Sequence, residues 1–230
     1  MANKFVTVEY DKFVSRTTTK LSYNYFWKEP YGARGAGFRE GYNACLRRIS
    51  MPGSDSLLLD IDCCQRDWFF LRNGQLIINI NNVENIVLEP HESYSETRHS
   101  QTLSVNGSLV STVSCFESCY YEINSEILLK MCNAHSLDMR LTGGNGNVET
   151  LNATGFIIHA QIFYNGCFDE NAYVSTVEMY EQQLNDIQEQ RIQQNKKIYN
   201  RTLWIGLAII LGPVAITLIY LLYCMIIGGL

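Results

Sequence analysis

Hydrophobic and polar positions alternate in short runs through most of the first 170 residues. This is the period-2 pattern of strands with one buried face. Strands are predicted at 3–10, at 19–27, at Leu57–Asp62, at Val83–Leu88, and, as one or two strands, at 109–123. Ser136–Leu141 and the apolar run Thr154–Tyr164 complete the set. Asn73-Gly74 separates Trp68-Phe-Phe-Leu-Arg72 from Gln75-Leu-Ile-Ile-Asn-Ile80, and Asn-Gly is the preferred pair for a type I′ hairpin turn. That turn predicts a register in which Leu71 faces Leu76 and Phe69 faces Ile78. On the other side, Phe70 faces Ile77 and Trp68 faces Asn79.

Between these runs, 31–42 reads as a glycine-punctuated loop, and 89–102 as a long polar loop after the Val83–Leu88 strand. Ser125–Asn133 is the one clear helix, with Asn124 or Ser125 as its cap and Ile127, Leu128 and Met131 on one face. Many short strands and a single short helix predict a mainly β fold. The expected architecture is an antiparallel β-sandwich-like head over 1–170, with an α+β arrangement as the second choice.

The pattern then changes twice. Residues 171–202 are rich in Gln, Glu, Asn and Lys, and Ser175-x-x-Glu178 is a capping box able to open a helix. Val177, Tyr180, Leu184 and Ile187 have a/d spacing, but Arg191 and Gln194 interrupt it. A solvated helical stalk is the plainer reading of this segment, and self-association through it the second. From Leu203 onward no side chain is charged, and about 20 apolar residues suffice to cross a bilayer. A single transmembrane helix is therefore expected over 203–228, kinked at Pro213.

Charge orients that segment. Arg191, Lys196, Lys197 and Arg201 precede it and nothing charged follows, so the head is expected on the cytoplasmic side. Lys196, Lys197 and Arg201, with Trp204 at one end and Tyr220 and Tyr223 at the other, are the candidate membrane-interface residues. No apolar leader opens the chain, consistent with a tail-anchored, single-pass protein. Eight cysteines, one of them (Cys224) inside the apolar span, leave an odd number in the head and suggest reduced thiols. The chain carries 18 Lys and Arg against 23 Asp and Glu, a formal charge of −5. This acidic balance argues against nucleic acid as a partner. The partners expected are the lipid bilayer and either a protein or a second copy of the stalk.

Chemical motifs are sparse. No P-loop, dinucleotide fingerprint or nucleophile elbow is present, no Cys/His set has zinc spacing, and no cofactor is predicted. Asp60 and Asp62 fall on one face of a strand, close to Asp67. Paired carboxylates can bind a cation or perform acid/base work, but an exposed strand face is the simpler account. The 32–41 loop interleaves Arg34 and Arg39 with Phe38, a mixture able to stack on an anionic or planar ligand. Arg34, Phe38 and Arg39, with Trp68 and Phe70, are the candidate partner-binding residues.

The order Val8-Glu-Tyr-Asp-Lys-Phe13, Asp67-Trp-Phe-Phe-Leu71, Glu126-Ile-Leu-Leu-Lys-Met-Cys-Asn-Ala134 and Leu137-Asp-Met-Arg-Leu-Thr-Gly143 resembles uncharacterised bacterial β-rich proteins. The resemblance spans scattered stretches from about residue 6 to 143. It implies a bacterial inner-membrane location and brings no activity. The function expected from the sequence is a membrane-tethered interaction module. A membrane-anchored enzyme, with a hydrolase using Asp60, Asp62 and His159 as the form considered, is the first alternative, and an exported β-domain with a C-terminal anchor the second.

Overall fold

A computed structural model describes residues 5–28, 41–103 and 109–228. The chain divides into two compact units, Met1–Val177 and Glu178–Leu230. The first unit is mainly β, and its described strands pair antiparallel. Its strands are β1 (Val6–Asp11), β2 (Arg16–Leu21), β3 (Tyr25–Lys28), β4 (Gly41–Met51), β5 (Ser54–Gln65), β6 (Leu76–Ile80), β7 (Glu84–Leu88), β8 (Pro90–Leu103), β9 (Leu109–Ile123), β10 (Leu137–Thr142) and β11 (Val148–Asn152). The larger sheet has the order β1-β2-β4-β5-β9-β8, with β3 also paired to β4. The smaller sheet has the order β11-β10-β6-β7.

Register divides the larger sheet into two unlike faces. On the inner face Tyr42, Ala44 and Leu46 of β4 stand opposite Cys63, Ile61 and Leu59 of β5, which stand opposite Glu117, Cys119 and Tyr121 of β9. All of these are buried. Helix α2 (Ile157–Phe168) packs on this face against β1, β2 and β4. The turn Leu71–Asn73 packs against β8 and β9, and Phe69 meets Tyr42 edge-on with ring centroids 6.4 Å apart. The outer face carries Asn43, Cys45 and Arg47 opposite Asp62, Asp60 and Leu58, and then Ser118, Tyr120 and Glu122.

Helix α1 (Ser125–Cys132) forms where predicted, and the Asn124 side chain accepts the Ile127 N–H at 2.8 Å. Four other expectations are corrected. Asn73-Gly74 makes no hairpin turn: β6 pairs with β7 and β10, and Leu71–Asn73 is a 3-10 turn. The left-handed residue there is Phe70, at φ 61°, while Gly74 is extended. Glycine is required at 74 for another reason, because a Cβ would lie 1.5 Å from the Thr142 carbonyl oxygen.

The 89–102 stretch is not a loop but β8, paired with β9 from Pro90 to Leu103. Over His91–His99 this edge strand is exposed or half-exposed on both sides, so it has no apolar alternation to show there. The Thr154–Tyr164 run is α2, preceded by a 3-10 turn, rather than a strand. Its buried residues His159, Ala160, Ile162 and Phe163 follow helical spacing, which an almost wholly apolar run disguises. Among the described residues the head therefore contains two complete helices, not one.

Helix α3 is assigned over Glu170–Gly228. It begins before the expected capping box: Asp169 caps it by accepting the Ala172 N–H at 3.0 Å, and Ser175 instead donates to the Ala172 carbonyl. In the second unit Leu184, Ile187, Ile192 and Ile198 are exposed, as are Lys196 and Lys197. Among the described residues no helix is long and apolar enough to cross a membrane. The side chains of Arg201, Trp204, Tyr220 and Tyr223, and of nearly all the apolar segment, lie outside the described ones.

Candidate functional site

The outer face of the larger sheet is built by strand alternation. Each buried residue on β4, β5 and β9 turns its neighbour outward, so one face gathers polar groups from three strands. The result is a cleft of about 560 Å³ whose floor is formed by Cys45, Arg47, Asp60, Asp62, Ser118 and Tyr120, with Lys20 and Tyr23 at its side.

Arg47 and Asp60 are its centre. Arg47 Nη2 donates to Asp60 Oδ1 at 3.2 Å, and Nε stands 3.2 Å from Oδ2 without the alignment of a hydrogen bond. The guanidinium also lies over the Tyr120 ring, 4.6 Å from its centroid. Both side chains are mostly withdrawn from water, at 23% and 19% exposure. Burial lifts the Asp60 carboxyl to about 6, although Arg47 opposes the shift. Asp62 is raised in the same direction by burial, and hydrogen bonds from Ser118 and Asn43 hold it back. Cys45, opposite Asp60 in the register, is pushed up to about 12 by burial and is an unreactive thiol at neutral pH.

His159 does not reach the cleft. It is buried on α2, and burial lowers it to about 4, so its imidazole is neutral at physiological pH. It does touch a residue that lines the cleft, because its Nδ1 lies 2.5 Å from the Tyr23 hydroxyl. Tyr23 therefore links the cleft wall to a neutral buried histidine.

A second, smaller cleft is lined by Trp68, Phe70, Arg72, Asn73 and Tyr94. The structure thus brings together Trp68 and Phe70, two of the three aromatic residues in the predicted binding set. Phe70 is 44% exposed. Arg34, Phe38 and Arg39 lie outside the described residues. Asp67 lies beyond the end of β5 and does not line the Asp60–Asp62 cleft. Among the described residues no set of three His, Cys, Asp or Glu side chains gathers to hold a metal.

Sequence reasoning identified Asp60 and Asp62 but missed Arg47, Tyr23 and Tyr120, which come from other strands and loops. The alternation Cys45-Leu-Arg47-Arg-Ile49 beside a buried Leu46 was the available signal. No protein-family model matches the chain, and neither a curated protein nor a solved structure matches it significantly.

Proposed function

We propose that this chain is a membrane-tethered binding module, with a sandwich-like cytoplasmic head that receives a protein or small polar ligand in the Arg47–Asp60–Tyr120 cleft. The observation that carries the binding half is the half-buried Arg47–Asp60 pair. Charges are withdrawn from water only at a cost, and here they are held on the outward face of a sheet whose core lies on the other side. Such a cleft presents a cation stacked on an aromatic ring and two carboxyl groups, a combination suited to recognising a partner with both charge and a planar group.

The tethering half rests on sequence. An uncharged segment over 203–228 is long enough to span a bilayer, and the basic residues before it favour a cytoplasmic head. The polar helix over 171–202 then acts as a spacer, with Leu184 and Ile187 available for self-association. Confinement to a surface raises the effective concentration of membrane-bound partners.

A second reading has one specific observation in its favour. Tyr23 faces the cleft and contacts neutral His159, while Asp60, near 6, is poised for proton transfer. This is the arrangement an anchored acid/base enzyme would use.

Two experiments test these readings. Leu211→Arg with Ile219→Arg should move the full chain from the carbonate-resistant membrane fraction to the soluble fraction, and continued retention would remove the anchor. A photo-crosslinker placed at Ile49, on the cleft wall, should capture an adduct in cells that Asp60→Asn and Arg47→Met abolish. An adduct indifferent to both substitutions would exclude the cleft as the binding surface.

A further inference from the structure

Strand β8 is the outer edge of the larger sheet, and among the described residues no strand pairs with its free side. Edge strands are normally protected by proline, bulges, charged side chains or a covering loop, and β8 has charges at Glu92, Glu96 and Arg98 and the Leu71–Asn73 turn packed against it. Here the only proline is Pro90 and the only register shift lies between Pro90 and Glu92. From Glu92 to Leu103 the strand is regular.

The far end of this strand is also thinly supported. β9 pairs with β5 only over Cys115–Ile123. Among the described residues Arg98–Leu103 and Leu109–Ser114 therefore pair only with each other, as a two-stranded ribbon extending past the rest of the described sheet. Isolated two-stranded ribbons are marginal in water.

Charge along the strand is self-complementary. Glu96 and Arg98 project to the same outer face, where Arg98 pairs with Glu96 and lies 3.4 Å over the Phe116 ring. We infer that β8 is a self-recognition edge, pairing antiparallel with β8 of a second copy of this chain about a two-fold axis at Thr97. That register sets Glu96 opposite Arg98 of the second copy, and Arg98 opposite its Glu96. Ser95 meets His99. A two-fold axis at Glu96 or at Arg98 would instead set like charges face to face, which is unfavourable. In the Thr97 register residues 98–102 lie beside 96–92 of the other copy. Each ribbon then gains a third strand from the body of its partner, and the two β8 edges cover each other.

The test uses the full chain in detergent micelles. At the axis the two Thr97 Cα atoms would be about 4.5–5.5 Å apart, within reach of a disulfide. Thr97→Cys should therefore form a crosslinked dimer on mild oxidation, while wild type and Val83→Cys, a control on an exposed loop, should not. Glu96→Arg and Arg98→Glu should each weaken dimerisation by about tenfold, read by light scattering or fluorescence exchange. The double variant, which swaps the charges, should restore it. Circular dichroism checks that each variant remains folded. A chain that is monomeric throughout, a dimer insensitive to both single variants, or a double variant no better than the singles would each overturn the proposal.

Discussion

The carboxylate of Glu117 is bound by the backbone around Phe70. Its Oε1 accepts the N–H groups of Phe69 at 2.5 Å and Phe70 at 3.0 Å, and its Oε2 accepts that of Leu71 at 2.8 Å. Successive N–H groups can converge in this way because Phe70 is left-handed, making a small anion-binding concavity. Glu117 is buried on the core side of β9, so the turn carrying Trp68 and Phe70 is fixed to the sheet by one side chain. Replacing Glu117 by Ala would strand two buried donors, those of Phe69 and Leu71, and the part-buried donor of Phe70. The expected cost is about 2–4 kcal/mol, measurable by chemical denaturation. Glu117→Gln should recover part of that loss, because it retains one acceptor.

Phe70 separates folding from binding. A large residue at φ 61° carries strain of about 1 kcal/mol that glycine would not. Phe70→Gly is expected to leave thermal stability unchanged or slightly improved while removing one of the three aromatic rings that line the smaller cleft. A loss of several degrees in Tm would show that its ring packs more than its 44% exposure implies.

Adjacent Asn73 and Gly74 should respond oppositely. Asn73 is exposed and outside the left-handed region, so Asn73→Val is expected to change stability by no more than about 0.5 kcal/mol. A Cβ at position 74 would run into the Thr142 carbonyl, so Gly74→Ala should cost about 1–3 kcal/mol or more through forced backbone movement. A type I′ turn would make both positions sensitive. Urea titrations of the two variants distinguish the cases.

Acid should act on two groups in opposite directions. His159 falls to about 4 on folding, so the unfolded chain binds the extra proton and stability drops as pH falls from about 6.5 to about 4. Asp60 rises to about 6, so between about 4 and 6 the folded chain holds more protons and acidification stabilises. The two contributions offset in wild type. Asp60→Asn should expose the histidine contribution as a steeper loss of stability between pH 6.5 and 4. An unchanged slope would show that Asp60 ionises normally.

Arg47→Met would remove the cation that keeps Asp60 from rising further. The carboxyl should then titrate above 6, as followed by carbon-13 NMR of labelled aspartate. No movement would mean that the ion pair contributes little at this site.

The sequence by itself determined features that depend on neighbours along the chain. These are the strands whose alternation marks one buried face, such as β5 and β10, the Asn124-capped helix, and the uncharged segment after Leu203. It also put Asp60 and Asp62 on one strand face, because that follows from period 2 alone. Tertiary structure decided everything that depends on distant partners. Asn73-Gly74 loses its local turn preference because a buried glutamate 44 positions beyond Asn73 captures the preceding backbone. The polar Pro90–Leu103 stretch becomes a strand because β9 supplies its hydrogen bonds, which no side-chain pattern needs to announce. An apolar run beginning at Thr154 becomes a helix because the inner face of the sheet is already paired edge to edge and needs covering rather than another strand. Arg47 and Tyr120 join the two aspartates for the same reason, because cross-strand register brings together residues that are remote in sequence, and Tyr23 joins them from the connection between β2 and β3.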